Sequence, residues 1–487
     1  MRSTNPGHTA SRGVDRPGSI ETRGIDQVPA EERHGSPREL FVVWAAPNVS
    51  YLSIIVGAAL VLMGLSLIEA LLVIVVGNLF WLLTGFIGVS GTASGTTGSV
   101  ISRAMYGVRG NKVLVAISGW LIAALYLGLN WAAASVAGFG LTRYLGLPET
   151  APVEVGVVCV IAAATILVSV YGHATIVRLY SVLTILLLAV FAVLTVLILA
   201  NADFAYVPAE PLTGWGRWMV LTIAFTIVAS TSFSYVNSPD LARYLPRDSS
   251  RVGITLWSAA GGFVPSVVFT AAGALAATGL DMSDPQGALE SIMPGWFVPV
   301  FVIAVVLNTI ANNGVTAYSA GLAMQSVGVP LPRVPAVLVI GLMGTALAVA
   351  AVSVVDFMDA VNMMLELVVV LTVPFMTVFA TDVVMRRNRY LGEQLHDQGR
   401  GGPFWYRGGV NPAGAAATAV GVVASALCVS TEIWAGPVSE ALHGLNLAVP
   451  VGLVVSAALY WLLSRGSRSA RAEQISETPV SSMEASR

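Results

Sequence analysis

The sequence predicts an all-α, polytopic membrane protein of about twelve helices, and three observations carry that prediction. Only 11% of the 487 residues are charged, while 55% are hydrophobic and mean hydropathy is +0.77. A soluble domain carries about 25% charged residues, so this chain has too few charges to cover a water-exposed surface. The apolar residues fall in blocks of about 20, the length that crosses about 30 Å of hydrocarbon as a helix. Lys and Arg concentrate in alternate connecting segments.

Turn and charge signals divide these blocks into spans. The first five are 40–64, 67–89, 113–141, 152–171 and 176–200. The next five are 214–236, 253–279, 296–325, 334–354 and 357–382, followed by 412–431 and 447–464. With the N-terminus inside, 23 of the 25 basic residues fall in cytoplasmic segments, leaving Arg143 and Arg217 outside. Losing one helix would invert every later loop, so the asymmetry supports twelve helices, cytoplasmic termini and residence in the cell membrane. Residues 1–39 form a polar cytoplasmic segment without a cleavable signal pattern, and 466–487 read as a disordered tail.

Net charge is −2, which gives no electrostatic footprint for nucleic acid. Cys159 and Cys428 both lie in apolar blocks and read as small core residues, with no disulfide framework. There is no phosphate-binding loop, dinucleotide fingerprint or metal-ligand cluster. The expectation is a non-enzyme without a cofactor or metal, driven by an ion gradient.

A lipid-facing helix needs only apolar side chains, so polar positions within a span mark packing, a broken helix or a substrate path. The first span reads WAAPNVSYLSIIVG, with Pro47, Asn48, Ser50 and Ser53 in its first half. Proline removes a backbone donor there, and a break would expose carbonyls to a cation; a simple kink is the alternative. The sixth span carries the run Ser230, Thr231, Ser232, Phe233, Ser234, whose hydroxyls compete for backbone partners and favour unwinding. Its structural alternative is small-residue helix packing with the hydroxyls bonded to their own backbone. Interrupted helices at corresponding places in two halves point to an inverted repeat with a binding site between them.

The eighth span places Asn308, Asn312 and Thr316 on one face, with Asn313 beside them. Carboxamides offer both donors and acceptors, which suits the edge of a planar heterocycle; an interhelical hydrogen-bond cluster is the bland reading. In the third span Tyr126 and Asn130 share a face, an aromatic platform beside an amide. Glu366 is the most central carboxylate, a proton-carrier candidate or a structural acid.

Several segments, taken in order, resemble the nucleobase–cation symporter-1 family, in its purine–cytosine permease branch. They are IDQVPAEERHGSPRELFVVW, WAAPNVSYLSIIVG, GLSLIEALLVIVVGNL, GTASGTTGSVISRAMYGVRGN, NSPDLARYLP and TIANNGVTAYSAGLAMQSVG, and the resemblance runs from about Ile25 to Arg465. It implies a leucine-transporter-type 5+5 inverted repeat: 40–200 as the first repeat, 214–382 as the second, and 412–464 as two peripheral helices. It also implies import of a nucleobase or related heterocycle by cation symport and alternating access. Allantoin, hydantoins, vitamin-like pyrimidines, amino acids on the same fold and a passive channel are the alternatives.

Residue by residue, the resemblance puts Tyr126 and Asn130 at the family's aromatic–amide pair, with Trp120 as the alternative register. The family's second stacking aromatic falls on Thr231, with Phe233 the nearest aromatic. Asn312 and Asn313 match the branch's asparagine pair, and Thr316 stands where a further asparagine is usual. Ser53 and Ser230 complete the expected substrate set. Coupling candidates are Asn48, Ala311, Thr316 and Glu366. Sodium-coupled members place helix-eight hydroxyls at positions matching Ala311 and Asn312, which lack them, so the expected ion is a proton, with sodium as the alternative.

Overall fold

The computed structural model describes Gly18, Ile20, Glu21 and residues 23–476 except 145, 149, 355–356 and 432–433. Side chains are described outside 136–137, 140, 143–144, 352–367 and 466–476. Ten helices among the described residues are long and apolar enough to cross a membrane. An eleventh span is the pair Glu39–Asn48 and Tyr51–Leu62, bent by 57° at its break, and Pro412–Cys428 is a shorter apolar helix. The chain is thus a multi-pass membrane protein, with twelve apolar helical segments among the described residues. Ile68, Leu72, Ile185, Leu342 and Val454 face outward, as a hydrocarbon solvent requires.

The segments are α1 (Glu39–Asn48 and Tyr51–Leu62) and α2 (Leu67–Asn78 and Trp81–Ser94), followed by α3. α3 is Val108–Val115, a π-helical turn Ala116–Leu121, and Ile122–Tyr144. α4 is Ala151–Tyr171, α5 His173–Asn201, and α6 Gly214–Phe233 with Ser238–Ala242. α7 is Arg251–Gly279, α8 Phe297–Val327, α9 Arg333–Val354 and α10 Phe357–Met385. α11 is Pro412–Cys428 and α12 Ala448–Ser476.

Local chemistry explains the punctuation. Ser66 accepts from Glu69 N–H while the Glu69 carboxylate accepts from Ser66 N–H, a capping box that starts α2. In α1, Pro47 cannot donate, and the helix ends one residue later. Ser50, in extended conformation, accepts from Leu52 N–H and starts the second half. Gly172, at φ 91°, is the single residue between α4 and α5.

α6 departs from expectation in register. The hydroxyl-rich run stays helical through Phe233, because Ser230, Ser232 and Ser234 donate to the carbonyls of Ile227, Ala229 and Thr231. The chain leaves the helix at 234–237 instead.

The helices pack as two groups. α1, α2, α6 and α7 form one, and α3, α4, α8 and α9 the other. α5 packs against the first half of α1, α7 and α8; α10 bridges α6 and α12; α11 pairs with α12. Small residues let α1 and α7 approach closely. A Cβ on Gly57 would lie 1.8 Å from Thr270 O, and one on Gly273 would lie 1.9 Å from Ile54 O.

Candidate functional site

A cavity opens between the two groups, where the break in α6 faces α3 and α8. It combines apolar walls with a few convergent polar groups, the make-up of a small-molecule site. Tyr126 and Asn130 reach it from α3, Thr231, Ser234 and Tyr235 from α6, and Asn312 and Thr316 from α8. The π-helical turn in α3 ends five residues before Tyr126 and contributes Ser118 and Gly119 to the wall. Such bulges re-aim the side chains that follow them.

The amides are held in fixed orientations. Asn130 Nδ2 donates to Asn313 Oδ1 at 3.0 Å, and Asn313 Nδ2 donates to Leu127 O at 3.2 Å. Asn313 is fully buried and lies outside the cavity wall, so it orients Asn130 from behind. With its NH₂ engaged, Asn130 presents its carbonyl oxygen, an acceptor, to the cavity. Asn312 is held the opposite way. Its Oδ1 accepts from Tyr235 OH at 3.2 Å, which leaves the Asn312 NH₂ as a donor. These orientations follow from the hydrogen-bond network. One wall therefore offers an acceptor and another a donor.

The second aromatic of the site is Tyr235. Its ring stacks on Trp81 with centroids 5.3 Å apart and meets Trp44 edge-on at 5.0 Å. Phe233 is instead fully buried, 4.6 Å from the Phe80 ring, and lines no part of the cavity. Two residues along a helix turn the side chain through about 200°, so Phe233 cannot share the face of Thr231, whereas Tyr235 lies in the break beyond the helix end and turns back to the cavity. Trp120 packs with the α3–α9 cluster and does not reach the cavity.

The remaining expected residues separate. Ser230 is fully buried against its own helix. Thr316 is on the wall, with its hydroxyl donating to Asn312 O at 3.2 Å. Ser53 and Asn48 line a smaller neighbouring cavity beside the α1 break, shared with Asn78, Thr231, Tyr235 and Asn312. Asn48 Oδ1 there accepts from Ser266 at 3.0 Å, and its Nδ2 donates to Trp44 O at 2.8 Å. Ala311 lines neither cavity, and its carbonyl accepts from Tyr180 OH. Glu366 lies outside the residues whose side chains are described.

Sequence reasoning missed Asp240. It is 2% exposed, lines the cavity, and its Oδ1 accepts from Gly98 N–H at 2.8 Å. Among the described residues it is the carboxylate on the cavity wall. A signal was present: the acid directly follows the α6 break in NSPDLARYLP. Among the described residues no group of His, Cys, Asp and Glu could hold a metal ion.

Comparison with known proteins bears on this geometry. Residues 27–452 match the model of a family described as permeases for cytosine/purines, uracil, thiamine and allantoin. The YxlA protein of Bacillus subtilis strain 168, described as a purine-cytosine permease, is 25% identical over 93% of this chain and 98% of its own. The purine-cytosine permease FCY21 of Saccharomyces cerevisiae is 23% identical over 89% and 84%. Among solved structures, Mhp1, a nucleobase-cation-symport-1 family transporter with bromovinylhydantoin bound in a closed conformation, superposes with TM-score 0.74. It is 18% identical, over 93% of this chain and 97% of that one. A sodium-coupled sialic acid symporter superposes with TM-score 0.54 at 11% identity, over 90% of each chain. The shared architecture is the leucine-transporter-type fold.

Proposed function

This chain belongs to the family of permeases for cytosine/purines, uracil, thiamine and allantoin, and from that premise we propose that it imports a nucleobase or related planar heterocycle by proton symport. The observation that carries the substrate class is the opposed pair of amides. Asn130 offers an acceptor and Asn312 a donor, both beside aromatic rings. A nucleobase edge alternates donors and acceptors in one plane, so a lactam-like –CO–NH– edge would satisfy both amides. Tyr126 and Tyr235 would flank the ring, giving apolar contact without fixing which heterocycle enters.

Transport would proceed by alternating access, the α1–α2–α6–α7 group rocking against α3–α4–α8–α9 around the cavity. The repeats would be 40–200 and 214–382, with 412–464 peripheral. Both termini would be cytoplasmic and the protein would sit in the cell membrane, as the arginine distribution supports. Asp240 would carry the coupled proton, since among the described residues it is the carboxylate on the cavity wall.

The test is uptake into proteoliposomes of labelled cytosine, hypoxanthine and uracil, under a proton gradient and a sodium gradient separately. Accumulation of one of these bases above its external concentration, driven by protons, is expected. Equilibration without accumulation under either gradient would make the protein a passive channel and sink the proposal. Asp240→Asn is expected to abolish proton-driven accumulation while leaving exchange of labelled for unlabelled substrate intact.

A further inference from the structure

The break in α1 leaves two carbonyls without their helical partners. In a continuous helix Ala46 O and Pro47 O would accept from the N–H groups of Ser50 and Tyr51, but the chain leaves the helix after Asn48. Unwound carbonyls near the midplane are the oxygens with which transporters of this architecture hold a coupling ion. Here both are taken by a side chain. Asn308 Nδ2, reaching across from α8, donates to Ala46 O at 3.0 Å and to Pro47 O at 3.2 Å.

Asn308 is 3% exposed and lines neither cavity. Its orientation is determined, since a flipped amide would set its oxygen against two carbonyl oxygens. A calcium-sized cation needs oxygens at about 2.3–2.6 Å, and the nitrogen fills the space from which it would reach them. The amide hydrogens supply the positive charge that orphaned carbonyls otherwise draw from an ion.

We infer that Asn308 stands in for a bound cation at the α1 break, so that this transporter holds its broken helix without sodium. The inference rests on reading the chain as a secondary transporter and deepens it. The break is organised permanently by a neutral donor, so sodium neither orders α1 nor drives transport. Asn308 is thus a positioning residue, and its identity sets which ion the site accepts.

The test is thermal unfolding of the purified protein in sodium chloride and in choline chloride at equal ionic strength, without substrate. The wild type is expected to melt at the same temperature in both. Asn308→Asp turns the donor into an acceptor facing the same two carbonyls. That variant is expected to melt lower in choline and to be restored by sodium along a saturable curve, because an ion that binds only the folded state raises its melting temperature. Asn308→Ser, which vacates the nitrogen's position and keeps an oxygen, is expected to acquire the same sodium response. Sodium stabilisation of the wild type would overturn the inference, as would sodium-insensitive melting of whichever variants fold. Should neither fold, the wild-type comparison alone decides. Failure of heterocycle uptake under every gradient would instead sink the substrate reading and leave these melting curves unaffected.

Discussion

At the scale of single residues, hydrogen bonds fix the sense of each amide at the cavity. Asn130→Ala removes the acceptor and leaves Asn313 Oδ1 without its donor. A lost hydrogen bond together with a buried group left unpaired costs about 1–3 kcal/mol. Uptake efficiency is therefore expected to fall by about 10- to 100-fold with normal membrane insertion, read as initial rates against surface-normalised protein. Asn313→Ala, although off the cavity wall, is expected to produce a similar fall, because Asn130 is then free to rotate. Phe233→Ala is the contrast. It empties a fully buried site beside Phe80, at a cost of about 3–5 kcal/mol in stability. Its surviving protein should keep the wild-type ranking of competing heterocycles, whereas Tyr235→Ala should alter that ranking.

At the scale of elements, the two broken helices do different work. The α6 break carries Tyr235 to the cavity and Asp240 just beyond it; the α1 break presents carbonyls to Asn308. The α1 break depends on close seating of α1 against α7. Gly57→Val would drive side-chain carbon into Thr270 O, a backbone atom that cannot yield without moving the helix. Loss of monodisperse protein on size-exclusion chromatography is expected, and a normal profile would show that α1 can shift. The element boundaries were only partly legible. Pro47 announced the α1 break, because a missing N–H is a local fact. The α6 break was placed too early, because whether Ser230 and Ser232 unwind a helix or bond to their own backbone depends on the neighbours that desolvate them.

At the scale of the whole molecule, the segment before α1 ties the two helix groups together at one end. Glu21 accepts from Arg243 at 2.9 Å and from Tyr244 OH at 2.8 Å beyond the end of α6. It also accepts from His173 N–H at 2.9 Å at the start of α5 and from Tyr318 OH at 3.3 Å in α8. Arg333 of α9 lies 3.8 Å away. Burial alone would raise the Glu21 carboxyl, but Arg243 and Arg333 outweigh it and hold the group below the usual carboxylate range. A carboxyl depressed by folding contributes stability above its unfolded pKa of about 4.3, and that contribution is lost as pH falls through the folded value. The tie therefore holds throughout the neutral range. Glu21→Gln is expected to lower the melting temperature at pH 7 and to lessen its fall on acidification, measured by thermal unfolding between pH 7 and pH 4. It is also expected to speed thiol labelling of a Ser319→Cys reporter on the cavity wall, since the groups separate more easily once the shared anion is gone.

The sequence by itself determined that this chain is a multi-pass membrane protein with about twelve apolar blocks and that Pro47 disturbs α1, by a break or a kink. It also showed that amides and aromatics gather on α3 and α8. These are consequences of local chemistry: hydrophobic length, a proline without a donor, and side-chain spacing on a helix. Only the tertiary structure decided what each of those residues does. Asn308, Asn312 and Asn313 lie within six positions of one another, yet one caps the α1 break, one faces the cavity and one holds Asn130 in place. Spacing defines the direction in which a side chain leaves its helix, but its role depends on which neighbour occupies that direction, and neighbours are brought there by the packing of helices far apart in the chain.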